Sequence, residues 1–141
     1  MPNPTGTPDA FLVLYLHDIA DDIETHGLLT SGPNFVDPHS GRLDVPAAAY
    51  KATTGTLPHV FALPTADAAD AARAYIEADP TAMDVLRVIA DHLDTLYPTG
   101  DWTDDPIDRL CAWPDFLGVT PADVPRTLRD LADTLAAAPA A

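Results

Sequence analysis

The chain has one cysteine, one lysine, two glutamates and two serines among 141 residues. A single thiol, Cys111, excludes an intramolecular disulfide scaffold. Seven lysines and arginines against 22 acids leave no basic cluster to grip a phosphate backbone, so direct nucleic-acid binding is not expected. Neither Ser31 nor Ser40 stands in a G-x-S-x-G elbow. There is no G-x-G-x-x-G, no Walker loop and no H-E-x-x-H, and no motif that would hold a cofactor. With these residue types scarce, acid–base chemistry would fall to aspartate or histidine. No apolar run approaches the roughly 18 residues of a membrane span. Met1–Pro8 lacks the basic start of an export signal, and the apolar stretch Ala10–Leu16 runs directly into acids. With one cysteine and no such signal, a cytoplasmic protein is expected.

Aspartate, alanine and proline are plentiful. Twenty of the 22 acids are aspartates, and the formal net charge is −15. Three origins fit this make-up: a GC-rich genome, adaptation to high salt, or a surface built for a basic partner. At 47% hydrophobic residues the chain can still supply a core, which argues against wholesale disorder. A chain of this size buries roughly two-thirds of its unfolded surface.

The spacing of apolar residues predicts an all-α fold of five to six helices, with at most one small β-hairpin near Phe35–Val45. Residues 1–7 read as a loose segment, 8–135 as one helical domain and 136–141 as a flexible tail. The first helix is expected over Pro8–His26. Its stripe is Leu12, Tyr15, Leu16, Ile19 and Ile23, and Gly27 stops it. Short helices are expected over Pro46–Thr54 and Ala66–Ala78, the second with Ala68, Ala72, Tyr75 and Ile76 inward. Leu57–Leu63, broken by Pro58, reads as a buried loop or an edge segment. Thr81-x-x-Asp84 resembles a capping box opening Ala82–Tyr97. There Val85, Leu86, Ile89, Leu93 and Leu96 face one way and Asp84, Arg87, Asp91 and Asp94 the other. Asp105-Pro106 opens a short helix that ends at Trp113-Pro114. The last helix, opened near Thr120–Asp123, carries Val124, Leu128, Leu131 and Leu135.

Several constellations could carry chemistry. His17, Asp21 and Glu24 share a helix face at i, i+4 and i+7, a spacing from which imidazole and carboxylate can reach one metal ion. The competing reading is a solvated face. Asp22 and His26 form a second i, i+4 pair, with His26 leaning toward the apolar stripe as a half-buried structural histidine. His92 sits at the edge of its stripe, and His39 and His59 fall in loops. Cys111 reads as a buried, inert thiol with no local base. Trp113 reads as a core residue. Trp102 lies among Asp101, Asp104 and Asp105, where it is either a lid over the core or an aromatic anchor for a lysine- or arginine-rich partner.

Gly41-Arg42-Leu43-Asp44-Val45, followed by Ala47-Ala48-Ala49-Tyr50, resembles a segment of a family of small actinobacterial and phage proteins. In that family a turn of the form G-x-V-C precedes a small-residue helix. Ile107, Leu110, Trp113 and Asp115, then Thr120, Val124, Leu128 and Ala132, resemble its I-x-x-W-N-D stretch, the T-x-x-x-V that follows and a final helix. Asp44 stands where the family has cysteine, and Pro114 where it has asparagine. The family is a domain of unknown function, so the resemblance implies a compact helical domain and no activity.

Three functions fit these residues. The first is a non-enzymatic acidic interaction or regulatory accessory protein with a basic protein as partner. The second is a small metal-dependent hydrolase using His17, Asp21, Asp22 and a distant histidine. The third is a small-ligand domain with a pocket lined by Tyr50, Tyr75, Trp102 and Trp113. The acids are spread over all the helices, which argues against mimicry of a nucleic acid.

Overall fold

A computed structural model describes residues 7–30, 34–97, 104–116 and 118–137. It contains six α-helices and two short 3₁₀ turns, and no sheet among the described residues.

Helix α1 (Thr7–His26) begins one residue ahead of the expected start. Leu16, Ile19, Ala20 and Ile23 are buried, at the spacing of one helix face. The helix closes where Gly27 turns left-handed (φ 94°) and donates to Ile23 O at 2.8 Å. A Cβ at Gly27 would sit 3.0 Å from Cγ of Arg42, so both the backbone angle and the space ask for glycine.

The chain then makes two single β-bridges, Leu28 with Leu43 in parallel and Val36 with Leu43 antiparallel. The segment Phe35–Val45, expected to form at most a small hairpin, is thus a loop pinned at the Val36–Leu43 pair. Asp37 ties its tip by accepting from His39 N at 2.9 Å and Ser40 Oγ at 2.8 Å. These bonds, the His39 N–H first, hold the Asp37 carboxyl below its ordinary value. A side chain that satisfies the local N–H groups removes the need for a strand partner.

Helix α2 (Val45–Thr54) is the centre of the molecule. Its first six residues, Val45–Tyr50, are all buried, and it packs against α1, α4 and α5. Three successive alanines let the neighbouring helices approach from several sides. Asp44 caps the helix, its Oδ1 accepting from Ala47 N at 2.9 Å. The apolar stretch after it folds into a 3₁₀ turn (His59–Ala62) that buries Phe61.

Helix α3 (Ala66–Glu77) is capped by Thr65 and buries Ala68, Ala72 and Ile76. Tyr75 departs from the expected inner face: it is 48% exposed and rests an edge of its ring near Tyr50 and Phe61. The phenol is long enough to keep its hydroxyl end in water while its ring touches the core. Helix α4 (Pro80–Leu96) starts earlier than expected. Asp79, not Thr81, is the cap and accepts from Ala82 N at 2.9 Å. Pro80 fits the first helical position, where no N–H is required. Val85, Leu86, Ile89 and Leu93 are buried as expected, whereas Leu96, in the final turn, is 47% exposed.

Helix α5 (Pro106–Ala112) is capped by Asp105, whose Oδ1 accepts from Ile107 N at 2.9 Å, and a 3₁₀ turn (Trp113–Asp115) follows. Trp113 is fully buried, and its Nε1 has no acceptor among the described residues. Helix α6 (Asp123–Ala137) continues two residues past the boundary expected at 135. It lies against α1 and buries Val124, Leu128, Leu131 and Ala132. One apolar cluster joins residues of all six helices.

Candidate functional site

Six of the seven cations are held by the chain's own acids. Lys51 meets Asp22 at 3.2 Å, and Arg87 meets Asp84 at 3.3 Å. Arg126 pairs with Asp123. Arg73 links α3 to α5 through Asp105 and Asp108, and also meets Glu77 on its own helix. Arg109, itself buried, donates to both carboxylate oxygens of Asp94 at 3.1 Å and lies 3.8 Å from Asp104.

The sixth is Arg129 on α6, and it lies among the residues singled out for a metal. Its guanidinium reaches Asp21 Oδ1 at 2.6 Å, Glu24, and His17 Nδ1 at 3.2 Å. The hydrogen bonds it donates, to Glu24 first and then to Asp21, hold the guanidinium well above its ordinary pKa. His17, Asp21 and Glu24 do converge, and they converge on an arginine. Asp22 faces Lys51 instead. His26 is exposed rather than half-buried, because it occupies the last turn beyond the packed stripe. His92 is half-buried, and His39 and His59 are exposed. Among the described residues no three His, Cys, Asp or Glu side chains are grouped so as to hold a metal ion.

Cys111 does have a carboxyl neighbour. Its Sγ lies 3.7 Å from Asp44 Oδ2, and the two residues are 67 positions apart. Burial raises the Asp44 carboxyl to about 8, against the opposing pull of the Ala47 N–H and the thiol. Burial, then the Asp44 charge, pushes the Cys111 thiol far up as well. The thiol stays protonated near neutral pH, and the Asp44 carboxyl has almost no access to solvent or to a substrate.

The acidic loop is divided. Asp105 is spent on capping α5 and on Arg73, while Asp104 is exposed. Asp101 and Trp102 lie outside the described residues. Of the ring set proposed for a small ligand, Tyr50 is packed 5.2 Å from Phe61 and Trp113 is sealed in the core. Trp102 is again outside the described residues.

Two surface features remain. Exposed Asp18, Asp67, Asp70, Asp91, Asp130 and Asp133 form no ion pair among the described residues. An apolar groove of about 420 Å³ also opens between α1 and α4. Phe11, Leu12 and Tyr15 form one wall; Thr81, Asp84, Val85 and Val88 form the other. Phe11 is 53% exposed, stacked on Tyr15 at 6.5 Å between ring centroids, and Leu14 beside it is 58% exposed. Sequence reasoning on one stripe missed this groove. The signal was present: Ala10–Leu16 is apolar on every side of its helix, so one buried face leaves apolar groups uncovered.

Comparison with models of known families, with curated proteins and with solved structures yields no match. The class the fold and surface define is an all-helical, strongly acidic domain with an apolar groove. No helix among the described residues is long and apolar enough to cross a membrane.

Proposed function

We propose that this chain is a non-enzymatic interaction protein that binds a basic protein through its acidic surface. The observation that carries the reading is the division of its charges. Six of its seven cations are consumed internally, and a surplus of exposed carboxylates on α1, α3, α4 and α6 has no ion-pair partner among the described residues. Such a surface speeds the approach of a cationic partner over distances of about a Debye length. The hydrolase reading loses support where Arg129 fills the His17–Asp21–Glu24 cluster. A protonated thiol beside a carboxyl with almost no access to solvent supports no covalent chemistry either.

The loop of Asp101, Trp102 and Asp104 belongs to this proposal as a second contact, with Trp102 as its aromatic anchor, while Asp105 stays committed to α5 and Arg73. The test is surface capture of a lysine-rich protein such as a histone by the wild type and by Trp102→Ala. Binding by the wild type that weakens steeply with salt supports the proposal, and no binding at low salt refutes it. Loss in Trp102→Ala at unchanged melting temperature assigns the anchor to the loop.

A further inference from the structure

Resting on that reading, we propose that the groove between α1 and α4 is the docking site for a basic amphipathic helix of the partner. A surface this acidic has little reason to leave Phe11 and Leu14 in water, because each uncovered ring or branched chain loses hydrophobic stabilisation. The groove's lining residues are apolar except for Tyr15, with its phenol hydroxyl, Thr81 and Asp84. Three polar side chains against four apolar ones are few for orienting a polar small molecule. A strip of aliphatic side chains, presented by a helix at i, i+3, i+4 and i+7, matches a trough whose α4 wall runs from Thr81 to Val88, the same seven-residue span.

The charge around the trough selects the partner's sign. Asp84 stands in the α4 wall. Asp18 follows Tyr15 by three residues and Asp91 follows Val88 by three, so each continues its wall by one helical turn. Both are exposed and unpaired among the described residues. Arg87, the one lysine or arginine within α4, is already directed at Asp84. Lysines or arginines flanking an apolar stripe would meet these carboxylates. A second copy of this chain is the poorer occupant: each copy carries −15, and a two-fold contact would set the same acidic rims against each other.

The test uses the full chain and two fluorescent peptides of identical composition. One places leucines at i, i+3, i+4 and i+7 among lysines; the other scrambles them. Anisotropy should show the striped peptide binding at least about tenfold more tightly than the scramble. Phe11→Ala and Asp84→Lys, both at exposed positions, should each weaken the striped peptide at least about fivefold with melting temperatures near the wild type. Equal, salt-sensitive binding of both peptides overturns the groove and leaves the acidic-surface reading standing. Binding of neither overturns both. A dimer that forms on adding salt and dissolves in Phe11→Ala also overturns the proposal, in favour of a second copy.

Discussion

The carboxyl of Asp44 and the thiol of Cys111 meet where α2 packs on α5, Oδ2 lying 3.7 Å from Sγ. The same carboxyl caps α2 through its other oxygen. One side chain therefore starts the central helix and contacts the helix beside it, with almost no access to water.

That burial makes stability depend on pH in a defined direction. The folded carboxyl titrates at about 8 and the unfolded one near 3.8. Between those values the folded state holds a proton that the unfolded state has released. The Asp44 contribution is full below the lower value and is lost as pH rises through the upper one, with a slope of up to about 1.4 kcal/mol per pH unit. Asp44→Asn keeps an oxygen for the cap and cannot ionise. In urea melts the variant should match the wild type at about pH 4 and exceed it at about pH 9. Parallel curves across that range would exclude a buried titrating carboxyl.

Cys111 should be a slow thiol. Burial first, then the neighbouring Asp44, raises its pKa and leaves little thiolate near neutral pH. Alkylation by iodoacetamide at about pH 8 should run at least about tenfold slower in the folded chain than in urea. A rate equal to that of the unfolded chain would place the thiol in open water.

Leu93 and Asp91 lie on opposite sides of α4. Leu93→Ala removes a fully buried side chain and should destabilise by about 2–5 kcal/mol. Asp91 is exposed and unpaired among the described residues, so Asp91→Ala should stay within about 0.5 kcal/mol. Chemical denaturation of both variants checks this, and equal losses would mean that α4 is rotated.

Arg129 joins α6 to three residues of α1. Arg129→Ala leaves Asp21 and Glu24 facing each other without a counter-charge. The network is largely exposed, so the loss should be about 1 kcal/mol, and added salt should restore part of it. An effect above about 3 kcal/mol would mark the arginine as a packing residue instead.

The helices were legible because their signals are local. Asp or Thr caps, a proline in the first turn and apolar residues on one face all lie within a few positions of each other, as in Asp105-Pro106 and the Val124–Leu131 stripe. Terminal turns were less so. Leu96 continues the α4 stripe by period, yet that turn projects past the core. The site residues were read as types and not as neighbours. His17, Asp21 and Glu24 carry no mark of Arg129, more than 100 positions away. Asp44 likewise carries no mark of Cys111. Long-range pairing depends on how helices cross, which one chain's periodicity does not encode.

The central claim, that the acidic surface is the working surface, is tested most directly by the association rate of the full chain with the lysine-rich striped peptide, followed by stopped flow across added salt. The rate should fall at least about tenfold between about 0.02 M and 0.5 M sodium chloride, as screening shortens the reach of the carboxylates. A rate that does not change with salt would contradict the account.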